Sequence, residues 1–224
     1  MKWPDDFVNK VIHGDCLEVM KEMPDECIDC IITDPPYGIE YYSNRYVSGN
    51  PHDKIIGDKS FLLPIDELWR LLKPSGAIFS FYSHKKPLLD TRLKNVIIWV
   101  KNNWTAGDLY GDFGNQYECI GFLPKDNFKL RNKKRYSNVW FFDRVPPKFH
   151  PTQKPIGLIS RIIECGSREG DIILDPFLGS GTTAVACKRL GRKFIGIEIN
   201  QEYCKIAEER LAQEVLPFNE VSNG

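Results

Sequence analysis

Short runs of apolar residues recur along the chain, and each run is followed by polar turn residues. Ile28–Thr33, Ala77–Tyr82 and Phe194–Ile197 are rich in β-branched or aromatic side chains. Short apolar runs bounded by turn residues are typical of parallel strands that are covered on both faces. These runs therefore predict buried strands. The same pattern predicts strands at Val11–His13, Val96–Val100, Tyr117–Phe122 and Ile172–Leu174.

Segments with helical spacing of apolar residues lie between these predicted strands. They predict helices at Cys16–Lys21, Leu62–Leu72, Ile156–Cys165, Thr183–Leu190 and from Gln201 to about residue 215. Lys73-Pro74-Ser75-Gly76 is expected to end the second helix, because proline and glycine stop helices. Alternating strands and helices predict an α/β fold, a Rossmann-like open and mostly parallel sheet with helices on both faces.

The length of 224 residues suits one such domain with a small inserted segment. We divide it into a catalytic half at about 10–123, a recognition segment at about 124–150 and a cofactor-binding half at about 151–215. No apolar run is long enough to cross a bilayer and the first residues do not resemble a signal peptide, so we expect a cytoplasmic protein without membrane contact. The polar stretch 38–60 predicts a long loop.

The seven cysteines are odd in number and scattered, as expected in a reducing compartment. Cys27 and Cys30 have the C-x-x-C spacing of redox and zinc sites, but the sequence lacks a second pair to complete a zinc tetrahedron. Cys30 also lies in an apolar run, where it would pack as a small hydrophobic residue. We therefore favour a structural role for the pair and predict no metal.

The run from Ile172 to Asn200 has the layout of a nucleotide-binding βαβ unit. A predicted strand ends in Gly179-Ser180-Gly181, a helix follows, and the next strand ends at Glu198, where such folds hold ribose hydroxyls. Ala184 replaces the third glycine of the dinucleotide motif, and Asp175 would repel a pyrophosphate. A ligand with a ribose and a cationic group but no phosphate fits better, which favours S-adenosylmethionine. The alternative is a glycine turn that serves only helix–strand packing.

Asp34-Pro35-Pro36-Tyr37 follows a predicted strand, at the end of the sheet where ligands bind in open α/β folds. The two prolines stiffen the backbone, so that the Asp34 carboxylate and the Pro35 carbonyl are rigid acceptors. Two acceptors can take both hydrogens of an exocyclic base amine and turn its lone pair toward a methyl donor. Tyr37 can stack on a base that has left the helix. The alternative is a proline-rich turn with a buried tyrosine.

Together these motifs resemble the amino-methyltransferases of DNA, which methylate the exocyclic amine of adenine or cytosine. The resemblance rests on Asp34-Pro35-Pro36-Tyr37 followed by Asp175-Pro176-Phe177-Leu178-Gly179-Ser180-Gly181-Thr182-Thr183, in the order of the beta class. Further similar pieces are Gly14-Asp15-Cys16-Leu17, Leu72-Lys73-Pro74-Ser75-Gly76 and His150-Pro151-Thr152-Gln153-Lys154-Pro155. The resemblance covers roughly residues 10–212.

The resemblance implies a role for particular residues. Asp15 would contact the adenine end of S-adenosylmethionine, and Glu198 its ribose. Its methionine part would be held by Asp175, Phe177, Gly179, Ser180, Gly181 and Thr182. Thr152 and Lys154 would contact its carboxylate.

The family also implies a target-recognition region, and here the basic segment 124–150 occupies its place. The whole chain has a net charge of zero, but this segment has eight basic against two acidic residues, a net charge of +6. We expect double-stranded DNA to be bound by Lys129, Arg131, Lys133, Lys134 and Arg135. The alternative is a solvated charged loop over an aromatic core. Because the segment is short for this family, the loop at 38–60 is expected to share recognition.

Adenine is the favoured target because relatives that methylate the cytosine amine more often have serine at the place of Asp34. A cytosine amine, a structured RNA and a catalytically inactive nucleic-acid-binding module stay open as alternatives. The resemblance also implies a prokaryotic or phage-encoded protein, with a cognate restriction endonuclease and a homodimer as its expected partners.

Overall fold

The structure is a computed structural model, and it describes residues 1–36, 63–103, 113–131, 135–146 and 153–213. The predictions for Tyr37, Lys133, Lys134, Thr152 and the loop at 38–60 lie outside the described residues. The described strands are β1 (Lys10–His13), β2 (Ile28–Thr33), β3 (Leu72–Tyr82), β4 (Asn95–Val100), β5 (Tyr117–Pro124), β6 (Val139–Phe141), β7 (Ile172–Asp175) and β8 (Lys193–Glu198). The described helices are α1 (Cys16–Lys21), α2 (Ile65–Leu71), α3 (Ile156–Gly166), α4 (Thr182–Arg189) and α5 (Gln201–Gln213).

The described strands form one sheet in the order β1-β8-β7-β2-β3-β5-β4-β6. Five of the neighbouring pairs are parallel, and only the two pairs that include β5 are antiparallel. The prediction of an open, mostly parallel sheet is therefore confirmed. In the parallel part, β1, β8, β7 and β2 end at the same edge, which we call the carboxyl edge.

Two hydrophobic cores cover the two faces of the sheet. On one face, helix α3 packs Leu158, Ile159 and Ile162 against the sheet, and α4 and α5 extend the same core. On the other face, Met20 of α1 and Leu68 of α2 pack against the opposite side of the strands. Cys30 lies fully buried in the first core, as its apolar surroundings predicted. No helix among the described residues is long and apolar enough to cross a membrane.

Two details of the strands differ from the sequence predictions. Helix α2 ends at Leu71, just before the stop signal at 73–76, but β3 begins at Leu72 and not at Ala77. Leu72 pairs with Ile28 and Ala77 with Cys30, so the proline and glycine of this segment lie in a bulge within the strand. Strand β6 was not predicted at all, because its three residues lie inside the basic segment and are too few to show a period.

Candidate active site

Four acidic residues follow neighbouring strands along the carboxyl edge. Asp15 follows β1, Glu198 ends β8, Asp175 ends β7 and Asp34 follows β2. Because these strands are parallel and adjacent in the order β1-β8-β7-β2, the four residues are arranged along one rim of the sheet. Residues that are up to 183 positions apart in the sequence thus meet at a single cleft-forming edge.

Asp175 is buried at this rim. Its carboxylate accepts hydrogen bonds from the Thr183 hydroxyl, at 2.6 Å, and from the Phe177 backbone N–H, at 3.1 Å. Burial, helped by the nearby charges of Asp34 and Glu198, raises the pKa of Asp175 to about 7 in spite of these two hydrogen bonds. The site therefore favours a positively charged ligand next to Asp175.

Glu198 is held by backbone N–H groups rather than by a cation. The amides of Gly179 and Asn200 each donate to one of its carboxylate oxygens, both at 2.8 Å. Burial raises the pKa of Glu198 in spite of these bonds. The carboxylate is thereby fixed beside the glycine turn, where the sequence predicted a ribose contact.

Helix α5 packs against the glycine turn, which is Gly179-Ser180-Gly181. Gly181 has a φ of +83°, and a Cβ atom there would lie 2.7 Å from the Cβ of Ala207. Arg210, also on α5 and buried, donates to the Ser180 carbonyl, and its guanidinium lies 3.1 Å from the Ser180 hydroxyl. Gly181 thus allows the turn to pack closely on α5, while its predicted contact with the cofactor stays a prediction. Arg210 was missed because nothing in its own helical segment marks it.

Asp15 is the N-cap of α1. One of its carboxylate oxygens accepts from the backbone N–H groups of Leu17, at 2.8 Å, and Glu18, at 3.3 Å. This bond orients the first turn of the helix at the rim. The predicted contact with the adenine end of a cofactor stays a prediction.

Asp34 takes part in a chain of charged side chains. The Lys154 ammonium lies 2.6 Å from the Asp34 carboxylate and 3.2 Å from that of Glu118. Lys101 lies 2.7 Å from Glu118 on its other side. Lys154 was expected to contact a cofactor carboxylate, but its ammonium lies between two carboxylates of the protein. Sequence reasoning missed Glu118 and Lys101, because their partners come from distant strands.

An open pocket lies beside this charged chain, at the carboxyl end of β3. Lys101 and Glu118 form one of its walls, and the rings of His84 and Tyr117 lie 5.7 Å apart on another. Its lining residues are Tyr82, Ser83, His84, Lys101, Asn115, Tyr117 and Glu118. The pocket shares no residue with the turn at 177–182, so it is separate from the predicted cofactor side of the rim.

The part of the basic segment that directly follows β5, residues 125–131, lies at the other edge of the sheet. Strand β5 runs antiparallel to β3 and pairs Pro124 with Ala77, so the chain leaves β5 at the amino end of β3. Arg131 lies against the Phe128 ring and approaches the Ser75 carbonyl there, and Lys129 is exposed nearby in the sequence. Five strand residues separate this edge from the rim, about 17 Å at 3.3 Å per residue.

This placement does not support contacts of Lys129 and Arg131 with a base at the rim. Arg135 precedes Asn138, whose side-chain amide donates to the Val96 carbonyl near the start of β4, so it also lies toward the amino edge. Trp140 is buried and Phe142 packs on the first core, as in the alternative of an aromatic core under a charged loop. The DNA-binding role of these basic residues stays a prediction.

The rim fits S-adenosylmethionine. It offers a fixed carboxylate beside a glycine turn, and a buried carboxyl whose pKa is raised chiefly by burial. A ribose and a ligand with sulfonium and ammonium groups match these two features, whereas a pyrophosphate would be repelled. The fold and the rim therefore define a Rossmann-like enzyme that uses a cationic nucleoside cofactor.

Comparison with known proteins identifies the family. The family model described as DNA methylase matches residues 28–209, and the chain belongs to this family. It is 34% identical to the DNA adenine methyltransferase YhdJ of Escherichia coli (strain K12), over 90% of this chain and 82% of that protein. It is 32% identical to the type II methyltransferase M.HinfI of Haemophilus influenzae, over 95% of this chain and 70% of that protein.

A solved structure agrees with these relatives. The crystal structure of the M1.HpyAVI–SAM complex superposes with a TM-score of 0.66 at 30% identity, over 90% of this chain and 98% of that chain. The resemblance to the DNA amino-methyltransferases is thus confirmed, together with S-adenosylmethionine as the cofactor of the enzyme.

Proposed function

We propose that this enzyme transfers the methyl group of S-adenosylmethionine to the exocyclic amine of adenine in double-stranded DNA. The observation that carries the proposal is the position of Asp34 on the rim, next to the acidic cofactor side and in contact with Lys154. The name of its relative YhdJ supports adenine as the base. When bound, S-adenosylmethionine supplies an electrophilic methyl group on a sulfonium.

The protein's own contribution is to hold the amine. The Asp34 carboxylate accepts one N–H of the amine, and the Pro35 carbonyl accepts the other, so that the nitrogen lone pair is directed away from the base ring. The ammonium of Lys154, 2.6 Å from Asp34, fixes the orientation of the carboxylate. The nitrogen would gain the methyl carbon as the carbon–sulfur bond breaks, with S-adenosylhomocysteine as the leaving group, and it would lose one proton, for which Asp34 is the acceptor in this arrangement.

The pocket beside Lys101 and Glu118 supports a base that has left the double helix. It lies at the carboxyl end of β3, next to β2, and its His84 and Tyr117 rings offer surfaces on which a planar base can stack. Such extrusion is needed because the amine of a paired base is out of reach of an active site. Tyr37, which the sequence predicted as a stacking residue, stays a prediction.

DNA then has to approach the carboxyl edge. Among the described basic residues, Arg144 lies toward this edge, because Asn103 after β4 exchanges hydrogen bonds with its backbone. We therefore propose that phosphate contacts near the reacting base come from this side of the basic segment. A cognate restriction endonuclease, a homodimer and a cytoplasmic location stay predictions from the sequence.

Labelling of DNA tests the proposal. The protein is incubated with unmethylated genomic DNA and tritiated S-adenosylmethionine, and the nucleosides are separated after digestion. Label on N6-methyldeoxyadenosine is the expected result. Label on the cytosine amine would keep the fold and the site but overturn the base, and label only on an added structured RNA would overturn the DNA substrate.

A further inference from the structure

The charged chain at the rim continues beyond the two residues that face the reaction. Four side chains of alternating charge follow one another: Asp34, Lys154, Glu118 and Lys101. They come from four separate parts of the fold, namely the end of β2, the segment before α3, the start of β5 and the end of β4. The chain therefore connects the catalytic strand with the antiparallel strands beside the pocket.

Burial of these charged groups lowers the stability of the folded protein unless every charge is paired. The side chain of Lys154 is only 10% exposed and that of Lys101 only 11%. Burial alone would lower the pKa of Lys154, but Asp34 and Glu118 raise it above its usual value. Burial alone would raise the pKa of Glu118, but Lys154 and Lys101 lower it. Lys154 and Glu118 are thus held in their charged forms by their neighbours in the chain.

Lys154 has a long side chain with several rotatable bonds, so a single contact with Asp34 would leave its ammonium mobile. The Phe81 ring supports it from one side, with its centroid 4.9 Å from the nitrogen. Glu118 gives the ammonium a second charged contact, at 3.2 Å. Lys101 in turn fixes Glu118 and is itself anchored, since its backbone N–H donates to the Gln116 carbonyl.

We propose that Glu118, held by Lys101, is a positioning residue for methyl transfer. It holds the Lys154 ammonium in place, and the ammonium then sets the orientation of the Asp34 carboxylate toward the amine. This inference deepens the proposed function and rests on it for the reaction. Misplacement of a reacting group by about 1 Å can slow a reaction about 100-fold, so a residue that acts only through another can still govern the rate.

Glu118→Gln is the first test, because it removes the charge and keeps the shape. We expect kcat to fall about 10- to 100-fold, while the dissociation constant of S-adenosylmethionine changes by less than about threefold. Lys101→Met is expected to lower kcat in the same direction by a smaller factor. A proportional loss of kcat and cofactor affinity, or an unchanged kcat, would overturn the proposal.

Asp29→Asn is the matched control. Asp29 also pairs with a lysine, since the Lys73 ammonium lies 2.8 Å from its carboxylate, but it is near the start of β2, at the far end from Asp34. We expect this variant to lose thermal stability and to keep kcat within about twofold of wild type. A drop in kcat equal to that of Glu118→Gln would show that loss of any half-buried ion pair slows the enzyme, and the positioning role would be wrong.

A double-mutant cycle separates an indirect role from a direct one. If Glu118 acts through Lys154, the substitution Glu118→Gln has no further effect on single-turnover rates in a Lys154→Met background. Independent, multiplying effects of the two substitutions would mean that Glu118 acts on the substrate itself, which contradicts the proposal.

A crystal structure of Glu118→Gln gives a readout without turnover. We expect the Lys154 ammonium to leave its position 2.6 Å from Asp34, or the Asp34 carboxylate to rotate. An unchanged pair would overturn the proposal even if the labelling experiment finds another base or no methylated product. Label on cytosine instead of adenine would refute the proposed base and leave the kinetic comparison of the variants valid.

Discussion

Both halves of the rim have carboxylates, but the groups that contact these carboxylates differ between the two halves. On the cofactor side, the described contacts of Asp175 and Glu198 are a hydroxyl and backbone amides, and burial raises the pKa of both. On the catalytic side, Asp34 and Glu118 are paired with lysines. The difference agrees with the proposed function, in which the first side receives a cation and the second a neutral base amine.

If the two sides of the rim bind different ligands, substitutions on them should have different effects. A substitution on the catalytic side should affect the rate far more than cofactor binding. A substitution on the cofactor side should affect binding and, because a buried carboxylate without a cation is unfavourable, should also change the stability of the free protein.

The largest effect is expected for Asp34→Ala. It removes the acceptor of the amine and leaves Lys154 with Glu118 as its partner, so we expect kcat to fall by about three orders of magnitude. Single-turnover transfer of tritiated methyl groups to DNA measures it. A loss of less than about tenfold would mean that Asp34 does not contact the amine.

Asp175→Asn is expected to weaken S-adenosylmethionine binding by at least about tenfold, because a charge-assisted contact with a cationic group is lost. Calorimetric titration of the variant and the wild type measures this change. Equal dissociation constants would place the cationic part of the cofactor elsewhere.

The same variant is expected to stabilise the free protein, by an amount that depends on pH. The usual pKa of 3.8 rises to about 7 on folding, so ionisation of Asp175 costs stability. The cost is absent below pH 3.8, grows as the pH rises and is complete above pH 7, where it reaches at most about 4 kcal/mol. Urea unfolding at pH 5 and pH 8 should therefore show a larger gain at pH 8. A gain that shrinks with rising pH would contradict the raised pKa.

Gly181→Ala is expected to destabilise the protein by about 1–3 kcal/mol, because it combines a positive φ with a contact at 2.7 Å to Ala207. Gly170→Ala is the matched control, since Gly170 has the same φ of +83° and no neighbour within 4 Å of the added Cβ. We expect a loss of only about 1 kcal/mol there. Equal losses in unfolding experiments would show that the turn is not packed tightly against α5.

The smallest effect concerns the basic segment. Arg144→Ala is expected to weaken DNA binding and to reduce the slope of log K against log salt by about one. Lys129→Ala, at the amino edge, should leave the slope unchanged. The reverse result would show that DNA follows the amino edge, where Lys129 lies.

Local patterns were sufficient to predict much of the fold. Apolar runs such as Ile28–Thr33 are strands of the sheet, and the turn after Ile172–Leu174 indicated the cofactor side, because in both cases the signal lies within a few residues. The predicted Asp175 and Glu198 meet at one rim because parallel strands end together. Backbone topology was enough to place them.

Contacts between distant segments could not be predicted in this way. Lys154 and Asp34 are 120 residues apart, and their pairing depends on which strand lies beside which. The basic segment was interpreted as one surface because its charges are adjacent in sequence. Strand β5, however, ends at the amino edge of the sheet, and the first basic residues of the segment follow it there. Arg210 braces the glycine turn through α5, and its own surroundings in the sequence look like any exposed helix.

The affinity of Asp34→Ala for S-adenosylmethionine tests the division of the rim most directly. Calorimetric titration of this variant should give a dissociation constant within about threefold of wild type, since Asp175, Glu198 and the glycine turn are untouched. A cofactor affinity that falls together with the rate would contradict the account, because one carboxylate would then serve both ligands.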